Sequence, residues 1–138
     1  MSPHLLIRTL EANAVFSALS GAVLITLAVV GTDALGVPPW MLGLVGACLL
    51  PFAWIVHRTA RYPEPMLVHL IIGADVAWVI AAAVLLLVFP GTLSPTGSIA
   101  LAVASVVVAD LAIMQYVGVR RTSLGTNHAA LGEAPCQT

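Results

Sequence analysis

The chain has 138 residues, of which 60% are hydrophobic and 8% charged, and a formal net charge of −1. A soluble domain carries about 25% charged residues. With a mean hydropathy of +1.06, the composition excludes an ordinary soluble domain and points to an integral membrane protein. It also excludes a basic nucleic-acid-binding surface, because five arginines are the only Lys/Arg residues in the chain.

Four apolar segments each approach the ~20 residues that a spanning helix needs. They run over about 10–30, 39–57, 66–89 and 98–118. The first follows Arg8 and carries Glu11 and Asn13 near its start. It lacks a small-x-small cleavage site before Asp33, so it reads as a retained span and not a signal peptide. The second opens on Pro38-Pro39, where proline is tolerated in a first helical turn. Within it, Pro51 leaves the carbonyl of Ala47 without its usual donor, a local polar spot with an expected kink. Gly/Pro-rich turns separate the segments at 31–39, 58–65 and 90–97. Connections this short make successive helices antiparallel neighbours. The fold class expected is all-α: a polytopic four-helix transmembrane bundle over residues 1–118, followed by a flexible cytoplasmic tail over 119–138.

The arginines set an orientation. Arg8 precedes the first span, Arg58 and Arg61 lie between the second and third, and Arg120 and Arg121 follow the fourth. The other two loops contain no Arg or Lys. The positive-inside rule then puts both termini in the cytoplasm. A bias this complete argues against dual-topology insertion.

Two carboxylates lie inside the apolar segments, Asp75 in the third and Asp110 in the fourth. Each costs about 2.5–3.5 kcal/mol at a span centre on insertion scales, so each needs a partner, a proton or water. Both fall about eight residues, or ~12 Å, from the arginine-side end of their spans. The antiparallel arrangement therefore puts them at one depth. Asn13, Ser17 and Gln115 join them in an intramembrane polar layer, with Trp78 one turn from Asp75 on the same face. Two uses are open. The layer ties helices together by hydrogen bonds, with Arg8, Glu11, Arg58 and Arg61 forming ion pairs at the cytoplasmic face or reaching back to an aspartate. Alternatively, the carboxylates line a proton or ion pathway.

Other chemistry is sparse. His57 and His69 fall at the ends of their spans, His4 is near the first, and His128 is in the tail. No His-x-x-x-His or Glu-x-x-His spacing puts two ligands on one helix face, so no metal is expected. Cys48 and Cys136 are far apart and form no Cys-x-x-Cys, which disfavours a dithiol oxidoreductase. Cys48 reads as a small buried hydrophobe. Trp40 fits the outer aromatic belt, and Trp54, Tyr62 and Tyr116 the inner one. Small residues recur at four-residue spacing: Ala14, Ala18 and Ala22; Gly43 and Ala47, with Gly46; Gly73, Ala77 and Ala81; Ala100, Ala104 and, after a drift, Ala109. Such faces allow close helix contact within the bundle, with another copy or with a partner.

The segments Glu11-Ala-Asn-Ala-Val-Phe-Ser-Ala-Leu-Ser-Gly21, Ala74-Asp-Val-Ala-Trp78 and Gln115-Tyr-Val-Gly-Val-Arg-Arg121 resemble a group of small bacterial four-span integral membrane proteins of unassigned role. The resemblance implies a four-helix topology in a bacterial inner membrane and transfers no catalytic residue. No nucleophile–base pair or phosphate loop is present, so an enzyme is not expected and no cofactor is called for. The leading expectation is an accessory or assembly subunit that packs in the lipid bilayer against itself, as a homo-oligomer, or against another membrane subunit. The alternatives are a small oligomeric proton- or ion-coupled carrier using Asp75 and Asp110, and a lipid-, pigment- or haem-binding bundle.

Overall fold

The computed structural model describes residues 4–31 and 35–132, and the side chains of 6–31 and 35–120. Four helices account for most of this: α1 (His4–Val30), α2 (Pro39–Arg61), α3 (Pro65–Val88) and α4 (Pro95–Gly132). No strand occurs among the described residues. The stretches Leu6–Val30, Pro39–Arg61, Pro65–Val88 and Pro95–Arg120 are each long and apolar enough to cross a membrane. The chain is thus a multi-pass membrane protein by length and composition.

Proline opens three of the helices, at Pro39, Pro65 and Pro95, where its fixed φ suits the first turn and its missing N–H has no helical partner to lose. Ser94 caps α4: its Oγ accepts the Gly97 N–H at 3.0 Å. Pro51 lies inside α2 without ending it. The boundaries differ from the apolar segments at the arginine-bearing ends, where polar residues continue the helices. α1 starts at His4, before Leu10, and α2 runs past His57 to Arg61. The largest difference is in α4, which continues through Gly132, so most of the segment expected to be a flexible tail is helical. No proline interrupts the chain between Pro95 and Pro135, and alanine, arginine and leucine in this stretch all favour a helix. The rest of that segment, including Cys136, lies outside the described residues.

α1 occupies the centre of the packing. It lies along α2 on one side and against α4 on the other, and α3 packs on α4. α2 and α3 touch little beyond their connection. Gly21 and Gly46 set the α1–α2 approach. A Cβ built at Gly46 would meet Gly21 O at 2.7 Å and Ile25 Cγ1 at 2.8 Å. This is backbone-on-backbone packing, which small residues permit in lipid. Gly118 allows a similar approach of α4 to α1, where a Cβ would meet Leu6 Cβ at 3.3 Å. Contacts pairing Gly21 with Gly46, and Leu6 with Gly118, are antiparallel registers. The arginine-bearing helix ends therefore gather at one end of the bundle. An apolar cluster of Leu6, Leu10, Ala14, Val56, Ala60, Val68 and Ile71 sits there, contributed by α1, α2 and α3. At the other end the two connections meet, with Ser94 N–H donating to Leu35 O at 3.2 Å.

The glycine crossing yields a graded expectation. Gly46→Val drives side-chain atoms into the Gly21 carbonyl and is expected to destabilise the bundle by about 1–3 kcal/mol, the usual cost of overpacking. Gly43→Ala adds a Cβ at an ordinary 3.5 Å from Ala28 Cβ and should be tolerated. Thermal unfolding in detergent checks both, and equal midpoints for the two variants would refute the close crossing.

Candidate functional site

Each helix turns a narrow stripe inward. On α1 the stripe is Leu6, Leu10, Asn13, Ala14, Ser17 and Gly21, the three- and four-residue spacing of one helical face. On α3 it is Val68, Ile71, Asp75 and Ala82. On α4 it is Val108, Ala112, Gln115 and Gly118. Outside these stripes the surface is overwhelmingly apolar, as in Leu19, Trp40, Leu70, Leu87 and Val106. That is the surface a bilayer requires, since lipid tails solvate apolar side chains as well as a core does.

Three stripes bring polar groups to one point. Asn13 Nδ2 donates to Asp75 Oδ2 at 2.6 Å. Gln115 Nε2 donates to the same oxygen in a longer contact of 3.5 Å. Ser17 Oγ donates to Asn13 Oδ1 at 3.4 Å, which holds the asparagine amide with its nitrogen toward Asp75. Asp75 is 4% exposed, Asn13 1% and Gln115 0%. The backbones of α1 and α3 nowhere come within 8 Å, Cα to Cα, among the described residues. The Asn13–Asp75 hydrogen bond therefore spans a diagonal gap. One acceptor stays without a partner, Gln115 Oε1, which is fully buried.

Several other hydroxyls turn back on their own helices. Thr59 donates to Ile55 O at 2.9 Å, Thr26 to Ala22 O at 2.8 Å and Ser105 to Leu101 O at 2.7 Å. Back-bonding of this kind satisfies a hydroxyl in lipid without an interhelical partner. The Asp75 cluster, by contrast, ties three helices together.

The structure thus brings together Asn13, Ser17, Asp75 and Gln115 from the expected polar layer. It does not bring Asp110 to them. Asp110 is exposed on α4, in a row with Ile99, Val103, Val106 and Ile113, all outward-facing. The reason is angular. At 100° per residue, Asp110 lies about 140° around the helix from Gln115, and farther still from Val108 and Ala112. Once Gln115 faces inward, Asp110 faces out. The two aspartates do not share a site, so the arrangement lacks the paired carboxylates that an ion pathway through both would use. Trp78 is half-buried beside this region.

The expected ion pairs do not form among the described residues. Arg8, Glu11, Arg58 and Arg61 are all exposed. Arg58 instead lays its guanidinium over Trp54, 5.6 Å from the ring centroid, and Arg120 does the same with Tyr116 at 5.4 Å. At the end of a span such a stack covers the cation's apolar face while its N–H groups reach water. His69 Nδ1 donates to Pro65 O at 2.6 Å, within the first turn of α3. No group of three metal-ligating side chains occurs among the described residues. Cys48 is exposed on the surface of α2, not buried as its apolar surroundings suggested. Gly21 is the contact residue that the small-residue spacing did not single out. Of the residues that spacing did mark, Ala22, Ala47, Gly73, Ala77 and Ala81 are exposed.

A second feature lies outside the bundle core. A cleft of about 320 Å³ runs between α3 and α4, with Val76, Val79, Ile80, Ala109, Ala112 and Ile113 among its walls. It is almost entirely apolar.

No protein-family model, curated protein or solved structure matches this chain. The site is therefore read from its own residues.

Removing one member of the bridge should be costly in a graded way. Asn13→Ala deprives the buried Asp75 of its short hydrogen bond and is expected to cost about 1–3 kcal/mol. Ser17→Ala should cost less, about 0.6 kcal/mol, the average for interhelical hydrogen bonds in lipid. Unfolding titrations in mixed micelles give the order, and a Ser17→Ala cost matching that of Asn13→Ala would contradict the bridge.

Proposed function

We propose that this chain is a non-enzymatic accessory or assembly subunit of the cytoplasmic membrane of a bacterium, with both ends in the cytoplasm. One observation carries the reading: Asp110 is exposed on an otherwise apolar face of a membrane-spanning helix. A carboxylate facing hydrocarbon costs about 2.5–3.5 kcal/mol near a span centre. Asp110 lies about ten residues, or ~15 Å, from Arg120, far beyond the reach of headgroups. Such a residue needs a partner, a proton or water, and a covering protein surface supplies the partner.

Two further features support the reading. The connections between helices are short, so recognition falls to the membrane-embedded faces. The small-residue row Gly73, Ala77 and Ala81 points outward on α3, leaving a close-approach surface that this bundle does not use. The orientation rests on the arginines, all of which the antiparallel order gathers at one end.

Two measurements follow from this. Native-mass analysis after extraction in mild detergent should find the chain in a larger membrane assembly. A lone monomer in both cells and extracts would sink the proposal. For orientation, Thr92→Cys in a Cys48→Ala/Cys136→Ala background should react with an impermeant maleimide in intact spheroplasts. Tyr62→Cys should react only after permeabilisation, and the opposite pattern would invert the topology.

A further inference from the structure

We propose that the cleft between α3 and α4 receives one transmembrane helix of a different chain, and that a lysine or arginine in the middle of that helix pairs with Asp110. The inference rests on the accessory-subunit reading and specifies the partner's chemistry.

The cleft has a shape that suits a helix. Ala109 and Ala112 form a low floor on α4, and Val76, Val79 and Ile80 form a wall on α3. Its volume of about 320 Å³ accommodates several side chains of a docked helix. Ile113 belongs to the opposite wall. Asp110 is one turn from Ile113 on the same helix, about 60° farther round, and so stands on the rim of the cleft. Beside the α3 wall, Gly73 has open space around it, with nothing within 4 Å of a built Cβ. A second backbone can therefore approach closely there.

Charge selects among the possible occupants. Acyl chains would fill the apolar cleft but would leave the Asp110 carboxylate in hydrocarbon without a partner. A second copy of this chain, docked through the same face, would bring a second Asp110 toward the first. It would also bring no cation to that depth. Its positive side chains are Arg8, Arg58, Arg61, Arg120 and Arg121, each near or beyond the end of an apolar span, and it has no lysine. Its intramembrane amides, Asn13 and Gln115, are buried in their own bundle. The complementary group has to come from a different polypeptide. In lipid, a basic residue on a spanning helix has the same need for a counter-charge as Asp110, so pairing relieves both.

The test uses the full-length chain in its native membrane. A photo-crosslinking amino acid is placed at Ile113, on the cleft wall, and separately at Leu19, an exposed position on α1. The expected result is one membrane-protein adduct at Ile113 and none at Leu19, with the crosslink mapping to a spanning helix that carries a lysine or arginine. Asp110→Asn should lower the adduct yield roughly tenfold or more, as for a desolvated charge pair. Asp110→Lys should abolish it, and exchanging the partner's basic residue for aspartate should restore it. Asp110 makes no contact within the bundle interior, so the thermal midpoint of each isolated variant should match that of the parent chain. An adduct with a second copy of this chain, lipid adducts alone, a partner helix without a basic residue, or an undiminished yield in Asp110→Asn would each overturn the proposal. An adduct at Leu19 with none at Ile113 would overturn it while sparing the accessory-subunit reading. The absence of any protein adduct at both positions, with a lone monomer by native mass, would overturn both.

Discussion

The hydrogen bond from Asn13 to Asp75 joins two helices whose backbones do not approach each other. α1 meets α2 at the close crossing of Gly21 and Gly46, and α4 where Gly118 lies against Leu6. α3 has α4 as its main neighbour and little contact with α2. Without the polar bridge, α3 would be held to the centre of the bundle chiefly by the apolar cluster at the arginine end. In lipid, apolar contacts between helices gain no hydrophobic driving force over contacts with acyl chains. A directional bond across the diagonal gap therefore has more influence on the arrangement than its modest energy suggests. It fixes which face of α3 turns inward, and through Gln115 it does the same for α4.

That rotation decides everything on the outside. With Asp75 inward, the α3 residues Val76, Val79 and Ile80 turn toward the cleft, and Gly73 and Ala77 turn to the surface. With Gln115 inward, Asp110 must point away from the bundle. The outward-facing features are thus geometric consequences of the internal bridge. Two carboxylates that look equivalent in depth and setting acquire opposite roles. Asp75 is held by amides of this chain, and Asp110 is exposed on the outer face of α4.

The arginine end has its own logic. Two of its cations, Arg58 and Arg120, stack on aromatic rings at the ends of the spans. Exposed ion pairs contribute little in water. A guanidinium laid on Trp54 or Tyr116 covers apolar surface and keeps its hydrogen-bonding edges wet. The arrangement anchors α2 and α4 at a defined height without consuming the intramembrane aspartates.

Much of the architecture was legible in the chain. Composition and the spacing of Gly/Pro turns defined four apolar helices, and the antiparallel order put Asp75 and Asp110 at one depth. Asn13 and Ser17, four residues apart, share one helix face; Asn13 bonds Asp75, and Ser17 bonds Asn13. The relative rotation of the helices was not legible from hydropathy, because the lipid-facing and core-facing sides of these helices are both apolar. A periodic signal existed in the small and polar residues. The 140° between Asp110 and Gln115 already forbade both from facing inward, but nothing in the sequence said which one did. Likewise, Gly21 and Ala22 are both small, and only the crossing point with Gly46 shows which one is in contact. The sequence by itself determined length, number and order of the helices, because each of these follows from local composition and turn chemistry. Which carboxylate is enclosed and which is offered outward was decided only in the tertiary structure, because it depends on how four nearly uniform apolar cylinders rotate to bring Asn13, Asp75 and Gln115 within bonding distance.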